Sequence, residues 1–178
     1  SLSAMPSEPL VFVHLSDIHF SSESGSPDDL DDDLRSQLLK DVVGVCKPYG
    51  TVAAVLLSGD VAARGQEIEY QYARAWLDEL CEVLGIGTEN VMTIPGNHDV
   101  DQTQQANDHG GELARKALRD TGGDPQLLDP EIASCHRDPA IRNSLYRPLV
   151  HYNKFALPYA IDSDTRWCEE TYPLNDGS

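Results

Sequence analysis

Three short apolar runs punctuate the first half of the chain: LVFVHL at 10–15, VAAVLLS at 52–58 and VMTIP at 91–95. Each is bounded by turn-forming residues and has the length of a buried strand. Between them the period changes from near-continuous to helical. From 30 to 46 apolar residues recur at Leu34, Leu38, Val42, Val45 and Cys46, and Pro48 and Gly50 then end the pattern. From 66 to 84 the stripe is Ala73, Trp76, Leu77, Leu80, Val83 and Leu84, closed by Gly85. Trp76 reads as core, because its neighbours at helical spacing are apolar. Strand, helix, strand, helix, strand is the rhythm of βαβ units in a parallel sheet.

Past Asp101 the pattern changes. A polar helix is predicted over 104–120, a loop at TGGDPQ, and one or two short helices over 130–157, interrupted at Pro139 and Pro148. No strong strand is predicted before about Thr171. The expected organisation is an N-terminal tail or expression remnant at 1–9, an α/β core at 10–103, and a helical insertion at 104–170. A further strand begins at 171–178, where the chain reads as cut short before a hairpin. The insertion is expected to form a wall or lid over the site, or a cap packed against the sheet.

Every strand-like run ends in a polar cluster: Ser16-Asp17-Ile18-His19, Gly59-Asp60, and Gly96-Asn97-His98-Asp99. A single Asp or Asn after a strand is an ordinary turn former. Three clusters, 43 and then 37 residues apart from Asp17 to Asp60 to Asn97, are harder to dismiss. Parallel strands joined by right-handed crossovers end at one sheet edge, where open α/β sheets bind ligands. Oxygen and imidazole groups would converge there, a donor set suited to hard or borderline divalent metals. Asp17 and His19 can turn toward one ion, Asp60 can bridge through its two oxygens, and Asn97 can offer an amide oxygen to a second ion.

The set Asp17-x-His19, Gly59-Asp60-x-x-x-Arg64-Gly65 and Gly96-Asn97-His98-Asp99 resembles the first three signatures of the calcineurin-like metallophosphoesterases. The resemblance implies the N-terminal half of an αββα sandwich built of parallel βαβ units. It also implies two divalent ions (Mn, Fe, Zn or Mg) held by Asp17, His19, Asp60 and Asn97, sharing a hydroxide that attacks a phosphoester, most directly a phosphodiester. By the same resemblance His98 faces the substrate and donates to the phosphate or leaving oxygen, while Asp99 orients the imidazole. Arg64 takes the place of a phosphate-contacting arginine of the related protein phosphatases. The acidic residue preceding that arginine is Ala63 here, and the third signature ends in Asp99 where those phosphatases have Glu, so their branch is not indicated.

The later histidine signatures of the family, including Gly-His-x-His, do not occur in this chain. His109, His136 and His151 lie outside any strand-and-glycine setting, and His14 falls inside the first strand; all four are read as structural. With an incomplete ligand set the chain by itself is expected to hold one ion weakly, the second hardly at all, and to hydrolyse little. The alternative is a non-catalytic module of the same fold that binds a protein partner.

Composition narrows the field further. The 178 residues carry a formal charge of −17, which argues against long nucleic acids but not against a small phosphoester received at a metal-neutralised site. Asp28, Asp29, Asp31, Asp32 and Asp33 read as charges favoured at a helix start. Cys46, Cys81, Cys135 and Cys168 are dispersed and read as reduced thiols. With no membrane-length apolar run or signal segment, the expected location is cytoplasmic.

Overall fold

The computed structural model describes residues 10–159. Three parallel strands, β1 (Val11–Leu15), β2 (Val52–Ser58) and β3 (Val91–Ile94), form a sheet in the order β1-β2-β3. The connections are α1 (Asp32–Cys46) and α2 (Glu67–Leu84). With strands added in sequence order, right-handed crossovers place both helices on the same face. Val13, Val55, Leu57 and Val91 point into that face and share one core with Leu39, Ala73, Trp76, Leu77 and Leu80. Trp76 is therefore core, with Nε1 donating to Arg35 O at 3.4 Å.

The opposite face carries Phe12 and His14 of β1, Leu56 and Ser58 of β2, and Met92 and Ile94 of β3. Phe12 is 51% exposed and Met92 47%. Parallel sheets are ordinarily covered on both faces, and this is the side on which a sandwich places its second layer. His14 bonds Ser58 Oγ there at 2.7 Å.

After β3 the described chain is helical: α3 (Gln102–Ala106), α4 (His109–Asp120), α5 (Pro125–Arg137), α6 (Pro139–Tyr146) and α7 (Val150–Ala156). The single helix expected over 104–120 is two. Asp101 caps α3 through Thr103 N, and Asp108 caps α4 through Gly111 N, so the chain restarts a helix between them. The predicted TGGDPQ loop is shorter than expected, because Asp124 caps α5 and Pro125 opens it. Tyr152, Phe155 and Tyr159 join the same core as β3 and α2, and Tyr152 donates to Thr93 Oγ1 at 3.2 Å. No helix among the described residues is long and apolar enough to cross a membrane. The expectations for 1–9 and 171–178, and for Cys168, lie outside the described residues, while Cys46, Cys81 and Cys135 are free thiols.

Helix α1 corrects the sequence reading. Leu30 precedes the helix, and Leu34 and Val45 are 68% and 65% exposed, whereas Arg35 and Leu39 are buried. Leu38, Val42 and Cys46 of the expected stripe do pack against the core, and the face they share with Leu39 also receives Arg35. Its guanidinium pairs with Asp29 and lies 5.0 Å from the centre of the Phe20 ring. Asp29 is thus a buried ion-pair partner, not a solvated charge at the helix start. Burial pushes its carboxyl up, but Arg35 and the N–H groups of Gly25 and Asp31 outweigh that and hold it below the ordinary aspartate range. A depressed carboxyl stabilises the fold above the unfolded-state value and loses that contribution as pH falls through the folded one. Removing Arg35 leaves the Asp29 carboxylate with its two backbone N–H donors and no cation, so Arg35→Ala is expected to cost about 1–3 kcal/mol. Urea unfolding at neutral pH checks this, and the difference between the two proteins should shrink once the pH drops below the ordinary aspartate range.

Candidate metal centre

The sheet edge at the strand C-termini is where the polar clusters meet. Beyond β1 and β2 the backbone ladder continues into the loops: Asp17 N donates to Gly59 O at 3.2 Å, His19 N to Asp60 O at 3.0 Å, and Phe20 N to Val61 O at 2.8 Å. Loop 1 (16–20) and loop 2 (59–66) are thereby fixed to each other. Among the described non-glycine residues only Asp17, His19 and Asp60 have positive φ, at 57°, 54° and 52°. Asp and His enter the left-handed region more readily than most residues, at a cost of about 1–3 kcal/mol each when the surroundings impose it. That conformation turns the three side chains together. One ligand atom from each lies within 4.8 Å of the other two, with Asp17 exposed and His19 and Asp60 half-buried. A carboxylate, an imidazole and a second carboxylate fit a divalent cation of the hard or borderline kind.

Loop 3 (95–101) is held to loop 2 by one buried carboxylate. Asp99 is 0% exposed; its Oδ1 accepts from Ala62 N (3.0 Å) and Tyr70 OH (2.9 Å), and its Oδ2 from Gly96 N (2.8 Å) and Val61 N (3.4 Å). Burial first, and the neighbouring Asp99 charge second, push the Tyr70 phenol up, so it stays a donor. His98 N donates to Asp60 Oδ1 at 2.9 Å, which sets Asn97 and His98 beside the trio. Gly96 is required for this approach, since a Cβ there would land on the Asp60 carboxylate.

The structure corrects the expected role of Asp99. Both of its oxygens are occupied by donors from loops 2 and 3 and from α2, and the His98 ring is held elsewhere. His98 Nδ1 lies 3.0 Å from Ala63 O. A carbonyl can only accept, so Nδ1 carries the proton and Nε2 is the atom left to face outward. The ring stands edge-on to His19, with centroids 4.7 Å apart. Arg64 is exposed, and its guanidinium has no partner among the described residues.

The histidines read as structural stay away from the trio. His136 bonds Tyr146 OH at 2.5 Å, His151 lies against Gln104 and Asp101, and His109 is exposed at the start of α4. Two groups under the site escaped the sequence reading. Tyr70 carried no signal beyond its helical position, whereas Glu69 stands third after Gln66 in a capping-box pattern visible in the sequence.

Two comparisons bear on these residues. A profile described as calcineurin-like phosphoesterase matches residues 10–165. A Bacillus subtilis (strain 168) protein described as "Uncharacterized metallophosphoesterase-like protein YydB" is 27% identical over 89 residues. That match covers 50% of this chain and 17% of the relative, so the chain spans only a small part of that protein's length.

Two substitutions test the arrangement. Asp99→Asn has no satisfactory orientation, because each oxygen of the native carboxylate accepts from two donors. At about 1–3 kcal/mol per orphaned buried donor, it is expected to destabilise by at least about 2 kcal/mol in urea unfolding. Gly96→Ala replaces none of the candidate ligands but forces the Asp60 carboxylate to move, and should weaken Mn²⁺ binding at least about tenfold by calorimetric titration. An unchanged affinity would show that Asp60 does not hold the ion.

Proposed function

Because this chain belongs to the calcineurin-like phosphoesterase family, we propose that its strand-end loops serve metal-dependent hydrolysis of a phosphodiester at a binuclear centre. The observation that carries this reading is the convergence of Asp17, His19 and Asp60 on one point, with His98 packed against them. Asp17, His19 and Asp60 would hold one divalent ion, and Asp60 with Asn97 would contribute to a second. Manganese, iron, zinc or magnesium bound there would lower the pKa of a water and neutralise the non-bridging oxygens of the ester.

His98 has the chemistry of the substrate-facing group. With Nδ1–H engaged by Ala63 O, the neutral ring presents a lone pair at Nε2, and only the imidazolium presents an N–H. Proton delivery to a leaving oxygen therefore requires the protonated ring. Arg64 projects from the same turn and supplies a cation for the phosphate. Asp99 acts indirectly, by fixing loop 3. Helices α4 to α6 are proposed as the wall that limits substrate size, since α7 is committed to the core.

A second reading is a protein-binding module of the same fold. The sheet face with Phe12, Met92 and Ile94, exposed among the described residues, is the one the fold covers with its second layer, so its exposure fits either reading. Hydrolysis of bis(p-nitrophenyl) phosphate against p-nitrophenyl phosphate, with added Mn²⁺, separates the two, measured on this chain and on a form carrying the later histidine motifs. The diester should be preferred. His98→Ala should lower kcat by about 10²–10⁴-fold while leaving Mn²⁺ affinity within about threefold. Metal binding without cleavage of either ester would favour the binding module.

A further inference from the structure

Glu69 is the largest unexplained investment beneath the site. Its carboxylate is 1% exposed, on the first turn of α2, with no cationic partner among its hydrogen bonds. Burying a charge is costly unless donors compensate it closely. A residue needed only to cap a helix could do so from the surface. Here one oxygen, Oε2, accepts from both Arg64 N and Gln66 N, each at 3.0 Å. The carboxylate thus grips the turn at the end of loop 2 on either side of Gly65.

That turn is also pressed against loop 3. Gly65 has φ +69°, and a Cβ there would sit 2.7 Å from Asp99 O and 2.8 Å from Asp101 N. On its other side, Ala63 N donates to Phe20 O at 2.8 Å, and Ala63 O receives Nδ1–H of His98. The acceptor that sets the His98 ring is therefore clamped from two directions, by loop 1 through Phe20 and by α2 through Glu69. The Ala63 carbonyl is the one hydrogen-bond partner of the His98 ring among the described residues, and the His19 ring packs edge-on beside it.

We propose that Glu69 is a positioning residue for His98, acting through the 63–66 turn to hold the Ala63 carbonyl where it fixes the Nδ1–H tautomer. The proposal rests on the reading of His98 as the substrate-facing group, but its geometry and its test stand without turnover. Loss of the Glu69 carboxylate frees Arg64 N and Gln66 N, lets the turn relax, and releases the imidazole to exchange its proton between ring nitrogens.

The test uses metal-free protein labelled with ¹⁵N-histidine, at about pH 8.5, above the usual imidazole range. Two-bond proton–nitrogen spectra report which ring nitrogen is protonated, and the His98 signals are those missing from His98→Ala. The native protein should show the Nδ1–H form almost alone. In Glu69→Ala the ratio of Nδ1–H to Nε2–H should fall at least about fivefold. Glu69→Gln, whose amide oxygen can accept both N–H groups, should restore it. If Glu69→Ala does not fold, Glu69→Asp gives the same reading, because its carboxylate ends one methylene short of Arg64 N. A purely structural cap would lower the unfolding temperature and leave the tautomer ratio unchanged, and that result overturns the proposal. Retained hydrolysis in His98→Ala would instead remove the catalytic reading, and the tautomer ratio would still decide whether Glu69 sets the ring.

Discussion

One buried carboxylate, that of Asp99, ties the third strand-end loop to the second, and the geometry of the site follows from it. Loops 1 and 2 are joined by main-chain hydrogen bonds that continue the β1–β2 ladder past the strand ends. Loop 3 has no such ladder to loop 2, and Asp99 supplies the equivalent with four donors, three from the backbone and one from Tyr70. Charge-assisted hydrogen bonds of this kind are stronger than neutral ones, and in a dry setting all four must be made. The result is an edge on which hydrogen bonds within the chain set Asp60 beside the main chain of Asn97 and His98.

The same edge shows how local rules are set aside in favour of a site. Asp17, His19 and Asp60 are in a backbone conformation that most residues avoid, and Gly96 and Gly65 stand where a side chain would collide with the neighbouring loop. Departures from local preference concentrated on a few converging loops are characteristic of functional sites. Elsewhere the departures are few among the described residues: Pro130 inside α5 and the buried Arg35–Asp29 pair beside α1.

Much of this was legible before any coordinates. The three strands and most of α2 followed from apolar runs and a helical stripe, although Val83 of that stripe is exposed and the buried Glu69 and Tyr70 lie outside it. The convergence of Asp17, His19 and Asp60 followed from parallel topology, which brings strand ends together whatever the loops contain. In helix α1, Leu38, Val42 and Cys46 pack against the core as expected, while Leu34 and Val45 do not. Its inner face holds Arg35, and a buried cation matched to Asp29 looks in sequence like one more surface charge. The Asp99 role was misread for a related reason. The resemblance pointed Asp99 at the His98 ring, but the two residues sit in a turn that sends the Asp99 carboxylate inward to Val61 N, Ala62 N, Gly96 N and Tyr70 OH. The tie between His98 and Ala63 had no sequence signal at all, since a backbone carbonyl belongs to every residue.

The left-handed backbone at the candidate ligand positions also limits how this site can change over generations. At Asp17 and Asp60 the residues that tolerate φ near +55° are few: aspartate itself, asparagine, histidine and glycine. Asparagine and glycine are each one nucleotide away from an aspartate codon. Drift that keeps the fold is therefore channelled through a short set, in which asparagine retains one oxygen donor and glycine none. The residue found at these two positions in a relative would then record whether that relative could still hold an ion there.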